Sequence, residues 1–257
     1  MLNNSDKPPY AIDGEWIIPG EKAEGGWDMQ QQSGHVLSPL LAHLVEQVPT
    51  LTPMLTTRCV IDLTRGVPLK PLRWHSEIVR QGKKLQVVRA ALLDGDLELA
   101  SITALRARLA TTPAVPQTTY PGPENLPKLG GGAGFPVGYD LRALGSVRDG
   151  SGHCQFWSRL TLSIIDGIPN SPFMHAMSMA DFGNGMANAL SMDEWNFPNI
   201  DIVVMFSRPP EGEWILLDAV TETAGNGLGI VSGILADRQG PFARTHQTLF
   251  ISPVPKR

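Results

Sequence analysis

The sequence predicts an α+β protein made of two copies of one unit, a long helix followed by about four antiparallel strands. Self-comparison is the first observation: shifted by 143 positions, residues 60–108 align without a gap on residues 203–251. The eight identities include both turn positions (Gly82 on Gly225, Asp94 on Asp237) and both arginines that follow the first strand (Arg65 on Arg208). The second observation is one helix candidate in each half. The third is the segment 111–153, whose six Pro and nine Gly punctuate structure rather than build it. Together they divide the chain into residues 1–110, a linker at 111–153, and residues 154–257.

The elements follow in order. Residues 38–48 read as a helix, with Ser38 as N-cap, Pro39 in the first helical position and Leu40, Leu41 and Leu44 on one face. Apolar runs at 55–63, 74–79, 85–93 and 97–109 read as strands, separated by Gln81-Gly82-Lys83 and Asp94-Gly95-Asp96. Beyond the linker, strands are predicted at 156–165, 200–206, 214–223, 228–235 and 242–251. The second helix spans 170–190, opens on Asn170-Ser171-Pro172, and has interior glycines that predict close packing or a break.

Among 257 residues, 21 are Lys or Arg and 25 Asp or Glu, a net charge of −4 that supplies no electrostatic footprint for nucleic acid or an anionic membrane. Cys59 and Cys154 have no metal-type spacing and read as buried free thiols. There is no uninterrupted apolar run of membrane-spanning length and no apolar leader segment, so the expectation is a soluble, cytoplasmic protein.

Common catalytic signatures are missing. No G-x-S-x-G or H-E-x-x-H occurs, and Asp181-Phe182-Gly183 lacks every companion motif of a kinase. Asp181 nevertheless stands out as a carboxylate within small and apolar helix residues, where a charge is costly unless used. The repeat sets Ser38 opposite Asp181 and Ala104 opposite Gln247, so carboxylate and amide occur in one copy only, as in an asymmetric site on a duplicated fold. Most histidines read as structural: His43 on a helix, His75 on a strand, and His246 on the sheet face opposite Gln247. His35, just before the first helix, reads as a loop residue, with a place in a substrate pocket as the competing reading. Trp27, Trp195 and Phe197 read as core, with an acyl tunnel as the competing reading, and Arg208 as structural.

The motifs Met179-Ala180-Asp181-Phe182, Asn199-Ile200-Asp201, Phe206-Ser207-Arg208-Pro209, Glu213-Trp214-Ile215-Leu216-Leu217 and Asp237-Arg238-Gln239-Gly240, in this order, resemble the TesB-like acyl-CoA thioesterases. The resemblance implies a double hotdog, two helices wrapped by one continuous antiparallel sheet, that pairs into a homodimer. It implies an acyl-CoA substrate, with coenzyme A only as part of that substrate and no separate cofactor or metal. It also implies a polar trio around a nucleophilic water, which falls on Asp181, Asn199 and Gln247. Asn199 departs from the hydroxyl usual there, although its first-half counterpart Thr56 carries one. In this reading Asp181 activates water, Gln247 and Asn199 position it, and backbone N–H groups at Gly183 or Gly185 hold the oxyanion. A non-catalytic acyl or coenzyme A binding protein is the alternative. A dehydratase ranks last, because no paired Asp and His is evident.

Overall fold

The computed structural model describes residues 7–26, 28–130 and 135–255; Trp27 lies outside them. In the first half, β1 (Tyr10–Asp13) and β2 (Trp16–Pro19) precede α1 (Gly34–Glu46), β3 (Met54–Asp62), β4 (Leu72–Arg80), β5 (Leu85–Asp94) and β6 (Leu97–Arg108). Then come β7 (Lys128–Leu129), β8 (Tyr139–Ala143), β9 (His153–Leu160), α2 (Pro172–Asp181), α3 (Gly183–Met186) and β10 (Trp195–Asn196). The chain ends with β11 (Asn199–Phe206), β12 (Ile215–Thr223), β13 (Leu228–Asp237), β14 (Gly240–Phe250) and β15 (Ser252–Pro253).

One 13-stranded sheet runs β1-β2-β4-β5-β6-β3-β11-β14-β13-β12-β9-β8-β7, and β10 pairs with β15. The two units join edge to edge through β3 and β11, where Val60 faces Val203. Those residues are 143 positions apart, so the pseudo-twofold axis of the duplication passes through this pair. Irregularities recur at matching positions. β3 bulges between Thr56 and Arg58 and β11 between Asn199 and Asp201, while β5 and β13 shift register after Leu92 and Leu235. The concave face holds one apolar core, in which α1 packs on β5 and β6 and α2 on β11 and β12. Cys59 and Cys154 are buried free thiols in it. Phe197 is buried and Trp195 packs on the core from its edge. Among the described residues, no helix is long and apolar enough to cross a membrane.

The helices depart from expectation. α1 begins at Gly34, four residues before the expected Ser38, with Ser33 as N-cap and Pro39 inside the helix. Pro39 lacks the N–H that would bond the His35 carbonyl four residues back, a defect that normally breaks a helix. Here Ser178 Oγ donates to that carbonyl at 2.7 Å and the Tyr139 hydroxyl lies 3.2 Å from it, so neighbouring elements repair the gap. The second helix breaks at Phe182, with Ser171 capping α2 by accepting from the Met174 N–H at 3.0 Å. Counted from the caps Ser33 and Ser171, the helices are offset by 138 positions, so Ser38 is not the partner of Asp181. The stretch read as linker contains β8, which hydrogen bonds along β9 and extends the sheet.

Arg208 is structural, as expected. It grips the fully buried Asp237 carboxylate at 2.5 and 2.6 Å and the Gly240 carbonyl at 2.7 Å, closing the turn between β13 and β14. The first half meets the same need differently: Lys70 lies 2.7 Å from Asp94, and Arg65 is exposed.

Candidate active site

Asp181, Asn199 and Gln247 come together, each from a different element. Asp181 ends α2, Asn199 opens β11 beside its bulge, and Gln247 projects inward from β14. Strand alternation turns Thr245, Gln247 and Leu249 inward and leaves Arg244, His246 and Phe250 exposed. Asn199 Nδ2 donates to Asp181 Oδ1 at 2.8 Å, and Gln247 Nε2 donates to the Ala180 carbonyl. With both amide nitrogens so used, Asn199 Oδ1 and Gln247 Oε1 are left as buried acceptors with no partner among the described residues. Unsatisfied buried acceptors are costly and point to a group that donates to them.

The Asp181 carboxylate lies over the first turn of α1. A Cβ on Gly34 would sit 2.2 Å from Asp181 Oδ1 and 2.7 Å from its Cγ, so the carboxylate keeps this position only while residue 34 is glycine. Gly183, just past the helix break, is also tightly packed, with a Cβ there 2.8 Å from Val231 and 3.0 Å from Gln247 Oε1. Burial pushes the Asp181 carboxyl up to about 6, opposed by the Asn199 hydrogen bond.

His35 corrects the sequence reading: it is no loop residue but the second residue of α1, stacked on Phe182 at 5.5 Å between ring centres. Desolvation pushes it down to about 4, so its ring is neutral at neutral pH. Ser33 Oγ lies 2.6 Å from Nδ1. Tyr139, from β8, meets Phe182 edge-on at 5.1 Å and lies 2.7 Å from Ser178 Oγ. His35 thus stands at the site, where its competing substrate-pocket reading had it, whereas Tyr139 is a site neighbour that sequence reasoning missed. The Gly34-His35 pair directly after a Ser carried a usable signal, whereas nothing local marked Tyr139. Gly185 is also corrected, because its N–H is taken by Asn184 Oδ1 at 2.7 Å and is not free for an oxyanion. His175 lies two turns before Asp181, beside Ser158 Oγ at 3.3 Å. Among the described residues, no group of three or more His, Cys, Asp or Glu is arranged to hold a metal ion.

The fold is thus a double hotdog that buries one carboxylate beside two side-chain amides. Family models for the acyl-CoA thioesterase N-terminal and C-terminal domains match residues 23–107 and 113–251, and the chain belongs to this TesB-like acyl-CoA thioesterase family. No curated protein sequence matches it. Among solved structures, a hot dog protein of unknown function from Alicyclobacillus acidocaldarius superimposes with TM-score 0.71 at 14% identity, over 98% of this chain and 99% of that one. The acyl-CoA thioesterase II TesB2 of Mycobacterium marinum gives 0.65 at 18% identity, over 94% of each chain. The tesB protein of Mycobacterium avium subspecies paratuberculosis gives 0.66 at 14%, over 94% and 95%. At such identities these likenesses show the fold.

Proposed function

We propose that the protein hydrolyses acyl-CoA thioesters by direct attack of a water held among Asp181, Gln247 and Asn199, without a covalent intermediate, metal or separate cofactor. The observation that carries this reading is the convergence of the Asp181 carboxylate with two amide oxygens that have no partner among the described residues. A water donating one hydrogen to Asp181 and the other to Gln247 Oε1 or Asn199 Oδ1 has its lone pair free for the thioester carbonyl. Asp181, with its carboxyl near 6, is ionised at neutral pH and basic enough to take the proton as the C–O bond forms. The tetrahedral intermediate then expels the coenzyme A thiolate, which takes up a proton.

The oxyanion falls to the Gly34 and His35 N–H groups that open α1 beside the carboxylate, since those of Val36 and Leu37 already donate to the Ser33 carbonyl. Asn199 serves where a hydroxyl is usual because its Nδ2 fixes Asp181 while its Oδ1 still accepts.

Thiol release from short to long acyl-CoAs, for wild type beside Asp181→Asn, tests the proposal. Turnover is expected in the wild type and a drop of roughly 10²–10⁴-fold in the variant, the usual loss when a general base is removed. Acyl-CoA binding without thiol release from either protein would establish the non-catalytic reading instead.

A further inference from the structure

The pseudo-twofold axis that places the Asp181 site at one end of the β3–β11 pair generates a counterpart at the other end. Thr56 occupies the position of Asn199, each four residues before the axial valine and each followed by a bulge. Ser171 at the start of α2 takes the place of Ser33 at the start of α1, and Phe173 that of His35. Just as Asp181 from the end of α2 reaches the first turn of α1, Glu46 from the end of α1 reaches the cap of α2, accepting from Ser171 Oγ at 2.8 Å.

This counterpart is hollow. A cavity of about 490 Å³ opens there, lined by Leu55, Thr56, Phe173 and Phe206 together with Glu46 and Arg106. That volume is in the range of small-molecule sites. The chemistry has changed in two ways. Ala104 replaces Gln247, so the water-holding amide is missing. Arg106 replaces Leu249, which sets a buried guanidinium in a wall that mixes apolar side chains with Glu46, Thr50 and Thr56. Arg106 donates only to neutral acceptors: the Val48 carbonyl at 2.7 Å, Gln86 Oε1 at 2.9 Å and the Val45 carbonyl. These bonds use three of its five N–H groups; no carboxylate lies at ion-pair distance among the described residues, and Glu46 in the same wall acts on it only at longer range.

We propose that this cavity is a second ligand site that binds, without turnover, a carboxylate with an apolar tail, a fatty carboxylate of the kind hydrolysis would release. Leu55, Phe173 and Phe206 take the chain and Arg106 the head group through charge-assisted hydrogen bonds. That the ligand is the product rests on the proposed hydrolysis; binding itself does not.

The test is photolabelling of the full-length wild type with a diazirine-bearing dodecanoate, with calorimetric titration of dodecanoate and dodecanol in parallel. Labelling at residues 46–56 and 206–210 is expected, with dodecanol binding there roughly tenfold or more weakly for want of the charged head group. Leu55→Trp, which fills the cavity and leaves Arg106 in place, should abolish that label while thiol release without added fatty acid stays at the wild-type rate. Labelling confined to the surroundings of Asp181, or equal affinity for acid and alcohol, overturns the proposal. If Leu55→Trp does not fold, the wild-type label map decides alone. A labelled cavity in a protein that hydrolyses nothing refutes the function proposed above and keeps this one; hydrolysis with no label in the cavity does the reverse.

Discussion

Asp181 ties activity to stability in opposite senses. Its carboxyl titrates near 6 in the folded protein against an ordinary value of 3.8, so between those values the native state holds more protons than the unfolded chain. Stability therefore falls as pH rises across that window, and the ionised group costs up to about 3 kcal/mol at pH 7. A general base, by contrast, works only when deprotonated, so kcat/KM should rise with pH through about 6 and level off above it. Asp181→Asn should thus melt at a higher temperature than wild type at pH 7 and lose its advantage near pH 4, as calorimetry at the two pH values would record. Gly34→Ala makes the complementary case. Alanine suits a helix better than glycine, but its Cβ meets Asp181, whose carboxylate is the part able to give way. The variant should keep its helix content by circular dichroism and lose about 10²-fold in kcat, the scale of a displacement near 1 Å.

At the scale of elements, the least regular parts position the chemistry. α1 tolerates Pro39 because α2 and β8 supply hydroxyls to the carbonyl it leaves open, and the same contacts fasten the first turn of α1 beside Asp181. Ser178→Ala should cost about 1 kcal/mol in the wild type, the net worth of one hydrogen bond. In a Pro39→Ala background the helix regains its own donor, so the loss should shrink, and urea titrations of the four proteins give the coupling directly. Some of this could be read from sequence. Strand positions, the turns and the broken second helix follow from apolar runs, Gly and Asn–Gly signals. The start of α1 does not, because a proline that usually opens helices stands inside this one, rescued by residues far along the chain. β8 was equally hidden: its short run lies within Pro- and Gly-rich surroundings, and only the edge of β9 makes it a strand.

Across the whole molecule, the β3–β11 junction makes one sheet of two units, and a single core cluster spans both halves. The unfolding transition should accordingly be single. Tryptophan fluorescence, reporting Trp74 in one half and Trp157 in the other, should coincide with far-ultraviolet circular dichroism in urea; separate midpoints would show that the halves unfold independently. The sequence by itself determined the duplication, the 143-residue offset of its strands, most strand positions and the oddity of a carboxylate at Asp181, because repeats, alternation and a charge out of place are local signals. Asn199 and Gln247 were singled out as a set only through the family resemblance. Only the tertiary structure decided how these meet. It set the Asp181 carboxylate over Gly34, drew His35 and Tyr139 beside it and opened the cavity at Arg106, because each of these contacts joins residues distant along the chain and no local pattern encodes a distance between them.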